Sequence, residues 1–357
     1  MFPIDIHTIN REGKALVIVI VGIIAGLLYP LLSKELGDPY AMVNGLLIGV
    51  LGSLYVAMVE LYISDPHNRK RGFLARIIRK SLTYTIFFVF LILLVLSISR
   101  SIQAGLDYLE YLTSEAFYNL VFKEDFHIIV LYTLLFSTGI IFVNQLSRKM
   151  GQGVLWNFIT GKYHNPREEE RIFMLLDMKD STSTAEKLGD LGFSNLLNDF
   201  FYDITPAIIH TSGVIYRYVG DEVVVSWRMQ QGLKNANCIR TSFLAKLVIR
   251  RQREKYLNTY GLVPDFRCGF HYGPVVVGQI GDVKSQIAFS GEVMYLASMI
   301  ESQCKSDNME NLVSGDLLKR MSLPGIYDMQ PVSSIVNRAG KKIDLYTITE
   351  VSFTQPY

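Results

Sequence analysis

Four long apolar runs fill the first half of the chain and constrain its architecture more than any other feature. They cover about residues 15–33 ("ALVIVIVGIIAGLLYPLLS"), 40–63, 81–98 ("SLTYTIFFVFLILLVLSI") and 127–146 ("HIIVLYTLLFSTGIIFVNQL"). A helix needs about 20 such residues, at about 1.5 Å each, to cross a hydrocarbon layer about 30 Å thick, so each run is long enough to span. A hydrophobic share of 50% and a mean hydropathy of +0.25 are high for a water-soluble chain and agree with membrane spans. The first run shows no small-residue cleavage site and three more follow it, so it reads as a span and not as a cleaved leader. The expectation is a four-helix transmembrane domain over residues 1–147, with membrane lipid as its partner.

Basic residues predict the orientation, because cytoplasmic loops carry the excess of Lys and Arg. Arg69, Lys70, Arg71, Arg76, Arg79 and Lys80 follow the second run, and Arg148 and Lys149 follow the fourth. The stretch between the third and fourth runs instead carries Asp107, Glu110, Glu115, Glu124 and Asp125. Both termini are therefore expected on the cytoplasmic side of an inner (plasma) membrane. Gly22 and Gly26, and Gly45 and Gly49, make small-xxx-small pairs; one reading is a dimerisation face, the other the ordinary glycine content of membrane helices. Glu60 lies near the cytoplasmic end of its span, where it can snorkel to water or serve a ligand or proton.

With 357 residues the chain has room for a second folding unit. A polar connector with Gly and Pro, residues 148–170, leads into a domain over 171–357 whose apolar runs have strand length. "RIFMLLD" predicts a buried strand and "STAEKLGDLGFSNLLNDFFYDITPAII" a helix with Ser181 or Thr182 near its cap. "GVIYRYVG" and "DEVVVSW" predict a tight hairpin, followed by a helix over about 236–256. "FRCGFHYGPVVVGQIG" reads as a second hairpin turning at Gly273 and Pro274, with a helix over about 293–304 and a late strand in "KIDLYTI". Strands and helices alternate, as in an α+β domain. A net charge of +2 gives no case for a nucleic-acid partner, and Cys238, Cys268 and Cys304 lack metal-site or disulfide spacing.

Two acids stand where chemistry is possible. Asp177 ends the first strand before a helix start, and Asp221 sits at the turn of the "YVGDEV" hairpin. Carboxylates brought together at strand ends repel, and a divalent cation relieves that repulsion while holding substrate phosphates. Singly, Asp177 reads as a helix-cap acid and Asp221 as a turn residue; the pair points to a metal site. Glu222 completes the turn.

Four blocks carry a resemblance. "RIFMLLDMKDSTSTAEKLGD", "GVIYRYVGDEVVVSW", "FRCGFHYGPVVVGQIGD" and "GEVMYLASMIES" resemble, in family order, the two metal motifs, the Arg-x-Gly-x-His-x-Gly segment and the dimer-interface helix of class III nucleotidyl cyclases. The resemblance implies a ferredoxin-like α+β catalytic domain working as a head-to-tail homodimer. It implies attack of the ribose 3'-oxygen of a nucleoside triphosphate on the α-phosphate, releasing pyrophosphate, with two Mg²⁺ or Mn²⁺ ions per site. Asp177 and Asp221 then become metal ligands, with the Met178 carbonyl a third. The backbone amides of Lys179, Asp180, Ser181 and Thr182 would hold phosphate oxygens, and Arg338, Lys341 or Lys342 would reach the terminal phosphates.

The departures fall on the residues that face base and ribose. Arg217 replaces a base-recognising Lys, Ala288 an Asp or Thr that reads the base, and Tyr295 and Met299 the usual Asn and Arg of the interface helix. Losing one preorganised donor of that kind costs on the order of 10²- to 10³-fold in rate. Three readings stay open: a slow or base-shifted cyclase, the weak half of a heterodimer, and a nucleotide-binding domain without turnover. ATP is the family default, with GTP or a pyrimidine triphosphate open. "VGDEV" also resembles the Gly-Gly-Asp-Glu-Phe hairpin of diguanylate cyclases, but Val219 and Val223 depart from it and the rest of that family's pattern is missing.

Overall fold

Apolar runs become helices where nothing breaks the backbone ladder, and Pro39 stands at a first helical position, where its missing N–H costs nothing. A computed structural model describes residues 15–16, 18–28, 39–62, 72–123, 126–151, 154–283 and 285–351. The chain divides into two units, Met1–Lys149 and Met150–Tyr357. The first comprises α1 (Ile18–Leu28), α2 (Pro39–Tyr62), α3 (Phe73–Ala104), two short helices α4 (Tyr108–Leu112) and α5 (Glu115–Phe122), and most of α6 (Phe126–Met150).

Among the described residues α2, α3 and α6 are long and apolar enough to cross a membrane, and α1 is a shorter apolar helix. Positions 29–33 of the first run, and Arg69, Lys70, Arg71, Glu124 and Asp125, lie outside the described residues. α3 begins at Phe73 and not near residue 81, so Arg76, Arg79 and Lys80 ride on its first turns; leucine, alanine, arginine and lysine there are good helix formers.

Polar contacts join the helices. Asn44 Nδ2 donates to Ser99 Oγ at 3.0 Å, and the Thr85 and Ser137 hydroxyls meet at 3.2 Å. Glu60 Oε1 accepts from Lys80 Nζ at 2.7 Å and from the Tyr84 hydroxyl at 3.0 Å, so it is held by neighbouring side chains. A Cβ on Gly26 would run into the Gly45 carbonyl oxygen, and one on Gly49 into that of Gly22. The two small-xxx-small pairs thus face each other inside one chain, and this contact occupies the face that could have served a dimer.

In the second unit α7 (Val154–Ile159) precedes β1 (Arg167–Met178), α8 (Ser181–His210), β2 (Val214–Val219), β3 (Glu222–Arg228), α9 (Met229–Leu233), α10 (Asn237–Arg251) and α11 (Arg253–Tyr260). Then follow β4 (Phe266–Ile280), β5 (Gln286–Ser290), α12 (Glu292–Ser306), β6 (Asn311–Ser314), α13 (Gly315–Leu318), β7 (Tyr327–Val336) and β8 (Lys342–Glu350). The described strands make one eight-stranded sheet, ordered β2-β3-β1-β4-β6-β8-β7 with β5 also on β4. Its β1-α8-β2-β3-α10-β4 segment is a βαββαβ unit with antiparallel β2-β3-β1-β4 order, the ferredoxin-like arrangement.

β1 is buried on both faces, which is why it reads as an unbroken apolar run. Ile172, Met174 and Leu176 pack against Leu196, Phe200 and Ile204 of α8 and Ile239, Ala245 and Ile249 of α10. On the opposite face Phe173 and Leu175 meet Val293 and Ala297 of α12. Asp177 follows the second parity and so belongs to the α12 side.

Three expectations are corrected. Gly273 and Pro274 make no turn: β4 runs on and pairs with β1 from Phe266 to Val277. On its other edge β4 pairs with β6 only over Cys268–Phe270 and with β5 only from Val276, so Pro274 stands in a gap where its missing N–H is not needed. α8, expected as one helix, is broken at Gly189 (φ 68°), while Ser181 is its first helical residue, next to the N-cap position at Asp180 as expected. The helix expected over 236–256 is two, α10 and α11, divided at Gln252.

Candidate active site

The two acids singled out in the sequence come together. Asp177 is the next-to-last residue of β1, and Asp221 follows Gly220 (φ 62°) in the two-residue β2–β3 turn. Positive φ at the first turn residue alone is the pattern of a type II′ hairpin turn, which needs glycine there. The Asp177 and Asp221 carboxyls are neighbours, and burial, then the Asp221 charge, push Asp177 up to about 6.

Strand register adds two more charges. Asp177 lies directly opposite Glu222 on β3 and Arg267 on β4, so the three side chains share one face of the sheet. Glu222 is therefore part of the acid cluster and more than a turn residue; burial and the Asp177 charge raise its pKa, and Arg217 opposes them.

Glu301 on α12 was not singled out in the sequence. α12 lies almost on β4 because Gly269 has no side chain: a Cβ there would run into the Glu301 amide nitrogen and the Ala297 carbonyl oxygen. That contact carries Glu301, only 8% exposed, to the acids, and burial followed by the Asp177 and Glu222 charges raises it to about 7. Its signal was an acid next to the apolar stripe Val293, Leu296, Ala297, Ile300 and Cys304.

Among the described residues no three His, Cys, Asp or Glu side chains are grouped to hold a metal ion. The Asp177–Asp221 pair still fits a hard divalent cation, which takes one or two carboxylates and completes its shell with backbone, water or phosphate oxygens. Met178 buries its side chain in the core, leaving only its carbonyl for that role. Lys179 is committed elsewhere: its N–H donates to the Asp265 carbonyl at 2.9 Å, and its Nζ pairs with the Asp265 carboxylate. This removes its amide from the expected phosphate cradle. Asp180 stands at the N-cap position without a side-chain capping bond, and the amides of Ser181 and Thr182 open α8, free of intrahelical partners and suited to an anion.

The remaining candidates gather elsewhere. Tyr295, 43% exposed, carries the Arg338 guanidinium over its ring, 4.3 Å from the centroid. Gly291, Glu292, Tyr295, Arg338 and Ala339 line one shallow depression. Met299, one turn further along α12, packs inward with Leu296, Ile300 and Ile335. Lys341 is drawn away to Asp316 Oδ2 at 2.9 Å. Arg217 follows a bulge in β2, its guanidinium 5.3 Å from the Tyr216 ring, while Ala288 is buried on β5. Among the described residues no hydrogen bond, ion pair or ring contact joins the Tyr295–Arg338 group to the Asp177–Asp221 pair.

Residues 164–350 match the family model described as adenylate and guanylate cyclase catalytic domain. The chain is 31% identical over 227 residues to adenylate cyclase 2 of Rhizobium meliloti (strain 1021), covering 63% of this chain and 62% of that protein. It is 23% identical over 191 residues to an adenylate cyclase of Anabaena cylindrica, covering 49% of this chain and 36% of the relative. The chain thus spans less than two thirds of the length of either relative. A solved bacterial light-regulated adenylyl cyclase shares the fold, with a TM-score of 0.53 and 21% identity over 63% of this chain and 66% of that one.

Proposed function

The chain belongs to the adenylate and guanylate cyclase catalytic-domain family, and from that premise we propose that it is a membrane-anchored nucleotidyl cyclase, a phosphorus–oxygen lyase in signal transduction. Its substrate is a nucleoside triphosphate, ATP in the first instance because both relatives named above are adenylate cyclases. The observation that carries the reading is the juxtaposition of Asp177 at the end of β1 and Asp221 in the β2–β3 turn, two acids that burial and mutual repulsion make costly unless a cation joins them.

The 3'-oxygen forms a bond to the α-phosphorus as the bridge to the β-phosphate breaks; pyrophosphate leaves with the bonding electrons and the hydroxyl proton passes to solvent. Divalent cations held by Asp177, Asp221 and the Met178 carbonyl would neutralise triphosphate charge and acidify the 3'-hydroxyl. The amides of Ser181 and Thr182 take phosphate oxygens at the start of α8. Glu222 and Glu301 keep the neighbourhood acidic, and Arg267 offsets part of that charge.

In a single copy no contact among the described residues joins the acid pair to the Tyr295–Arg338 group, which supports a head-to-tail homodimer in which each copy completes the other's site. The helical unit would anchor the protein in an inner membrane with the catalytic unit on the cytoplasmic side. A second reading, a cyclase of shifted base preference, is favoured by Ala288, which is buried and offers no polar side chain to a base.

The deciding experiment incubates the full-length protein with each of the four nucleoside triphosphates and Mn²⁺ and scores cyclic products. Product from ATP alone supports the first reading and product from another nucleotide the second; no product from any overturns both.

A further inference from the structure

We propose that Tyr295 is a positioning residue for Arg338: its ring holds the guanidinium over the depression at the start of α12, where the guanidinium takes a phosphoryl group of the triphosphate or of pyrophosphate. This rests on the cyclase reading and names the cation that serves where Met299 provides none.

Three basic residues stand at the β7–β8 connection, Arg338 and Lys341 in the turn and Lys342 at the start of β8, and both lysines are paired with acids. Lys341 Nζ lies 2.9 Å from Asp316 Oδ2, and Lys342 Nζ 3.6 Å from Asp344 Oδ1. Arg338 makes no ion pair among the described residues, and its ordered partner is the Tyr295 ring, 4.3 Å away. A guanidinium lying on an aromatic face keeps its N–H edge open, and that edge matches two oxygens of one phosphoryl group.

The turn itself is preorganised. Asn337 Oδ1 accepts from the Ala339 and Lys341 amides at 3.1 and 2.8 Å, and Gly340 supplies the left-handed residue (φ 78°) that closes it. The Arg338 amide donates to Glu292 Oε1 at 3.4 Å, tying the turn to the first residue of α12. Glu292 puts one carboxylate into the same depression, which suits a phosphoryl group that arrives with a divalent cation. Met299 is packed inward against Leu296 and Ile300, so the next turn of α12 offers no competing charge.

The test is titration of the full-length protein with magnesium pyrophosphate by calorimetry, with steady-state kinetics beside it. Arg338→Ala is expected to weaken pyrophosphate binding on the order of 10- to 100-fold, the loss of a charged hydrogen-bond pair. Tyr295→Leu is expected to weaken it about 2- to 5-fold, the worth of an exposed cation–ring contact, while Tyr295→Phe binds as the parent does. An equal loss in Tyr295→Phe and Tyr295→Leu, an unchanged Arg338→Ala, or a parent protein that does not bind pyrophosphate overturns the proposal. If the parent makes no cyclic product from any nucleotide, the cyclase reading fails, and the pyrophosphate titration still decides this one.

Discussion

Asp177 at the end of β1 and Asp221 in the β2–β3 turn bring their carboxyl groups together, and burial and that neighbour together hold a proton on Asp177 up to about pH 6. Glu301, on α12, holds one up to about pH 7. Acids that keep protons this long are unfavourable for folding when ionised and favourable for binding a cation. Under the proposed function, the cluster trades stability for a ligand site.

Stability should therefore depend on pH in a defined direction. Asp177 and Glu301 ordinarily titrate at 3.8 and 4.5, so between those values and about 6 and about 7 the folded chain binds more protons than the unfolded one. Their contribution is present below the ordinary values and is lost as pH rises through the raised ones. Without divalent cations, the unfolding midpoint followed by the fluorescence of buried Trp227 should fall between about pH 4 and about pH 7. Mg²⁺ should restore it at the upper end. A midpoint that rises across the same window would contradict the arrangement.

Asp221→Asn should separate stability from activity. The amide cannot ionise beside Asp177, so the metal-free variant should unfold at a higher temperature than the parent near neutral pH, and Mg²⁺ should no longer raise it. Cyclic product should drop by on the order of 10²-fold or more, as when a preorganised charge-stabilising group is lost. Parent-like turnover in this variant would remove Asp221 from the site.

Gly269→Ala tests the contact that brings Glu301 to the acids. The added methyl meets backbone of α12, at Glu301 and Ala297, and cannot be relieved by rotating a side chain. Overpacking of this kind costs about 1–3 kcal/mol, so denaturant unfolding should shift by that amount and activity should fall with the displaced helix. No change in either would mean that α12 does not lie against β4 as described.

In the helical unit, Gly49→Leu should loosen the bundle. Its side chain would enter the space that the Gly22 carbonyl oxygen and the Gly26 backbone occupy, so α1 must move away from α2. The expected result is a lower thermal midpoint in detergent with the oligomeric state unchanged, read by light scattering. Loss of a dimer instead would return these glycines to an interface between copies.

The acid pair was legible because its signals are local: a strand that ends in Asp, and Gly-Asp in a turn that demands glycine. The α+β alternation was legible because β1, α8, β2, β3 and α10 each carry their own period, while the ferredoxin-like order was implied only by the resemblance to class III cyclases. Glu301 was hidden because its environment is made by α12 crossing Gly269 on β4, a contact between residues far apart in sequence. Gly273 and Pro274 misled for a similar reason: only the gap between β6 and β5 makes a proline harmless inside β4. The Tyr295–Arg338 stack joins α12 to a turn about forty residues later, a distance over which periodicity says nothing.

Complementation between copies tests the head-to-tail arrangement. Asp177→Ala removes a group from one half of each shared site, and Arg338→Ala removes one from the other half. Either variant alone damages both sites of a homodimer. Expressed together in equal amounts, they assemble at random into heterodimers about half of the time, and in each heterodimer one site carries both lesions while the other carries none. About a quarter of the parent activity should return, measured as cyclic product per mole of protein in detergent. Recovery should be absent when the two variants are purified separately and assayed at once after mixing, before their subunits exchange. If co-expression returns nothing, while each variant is folded by its unfolding midpoint, the two groups serve the same half of the site and the shared-site arrangement is wrong.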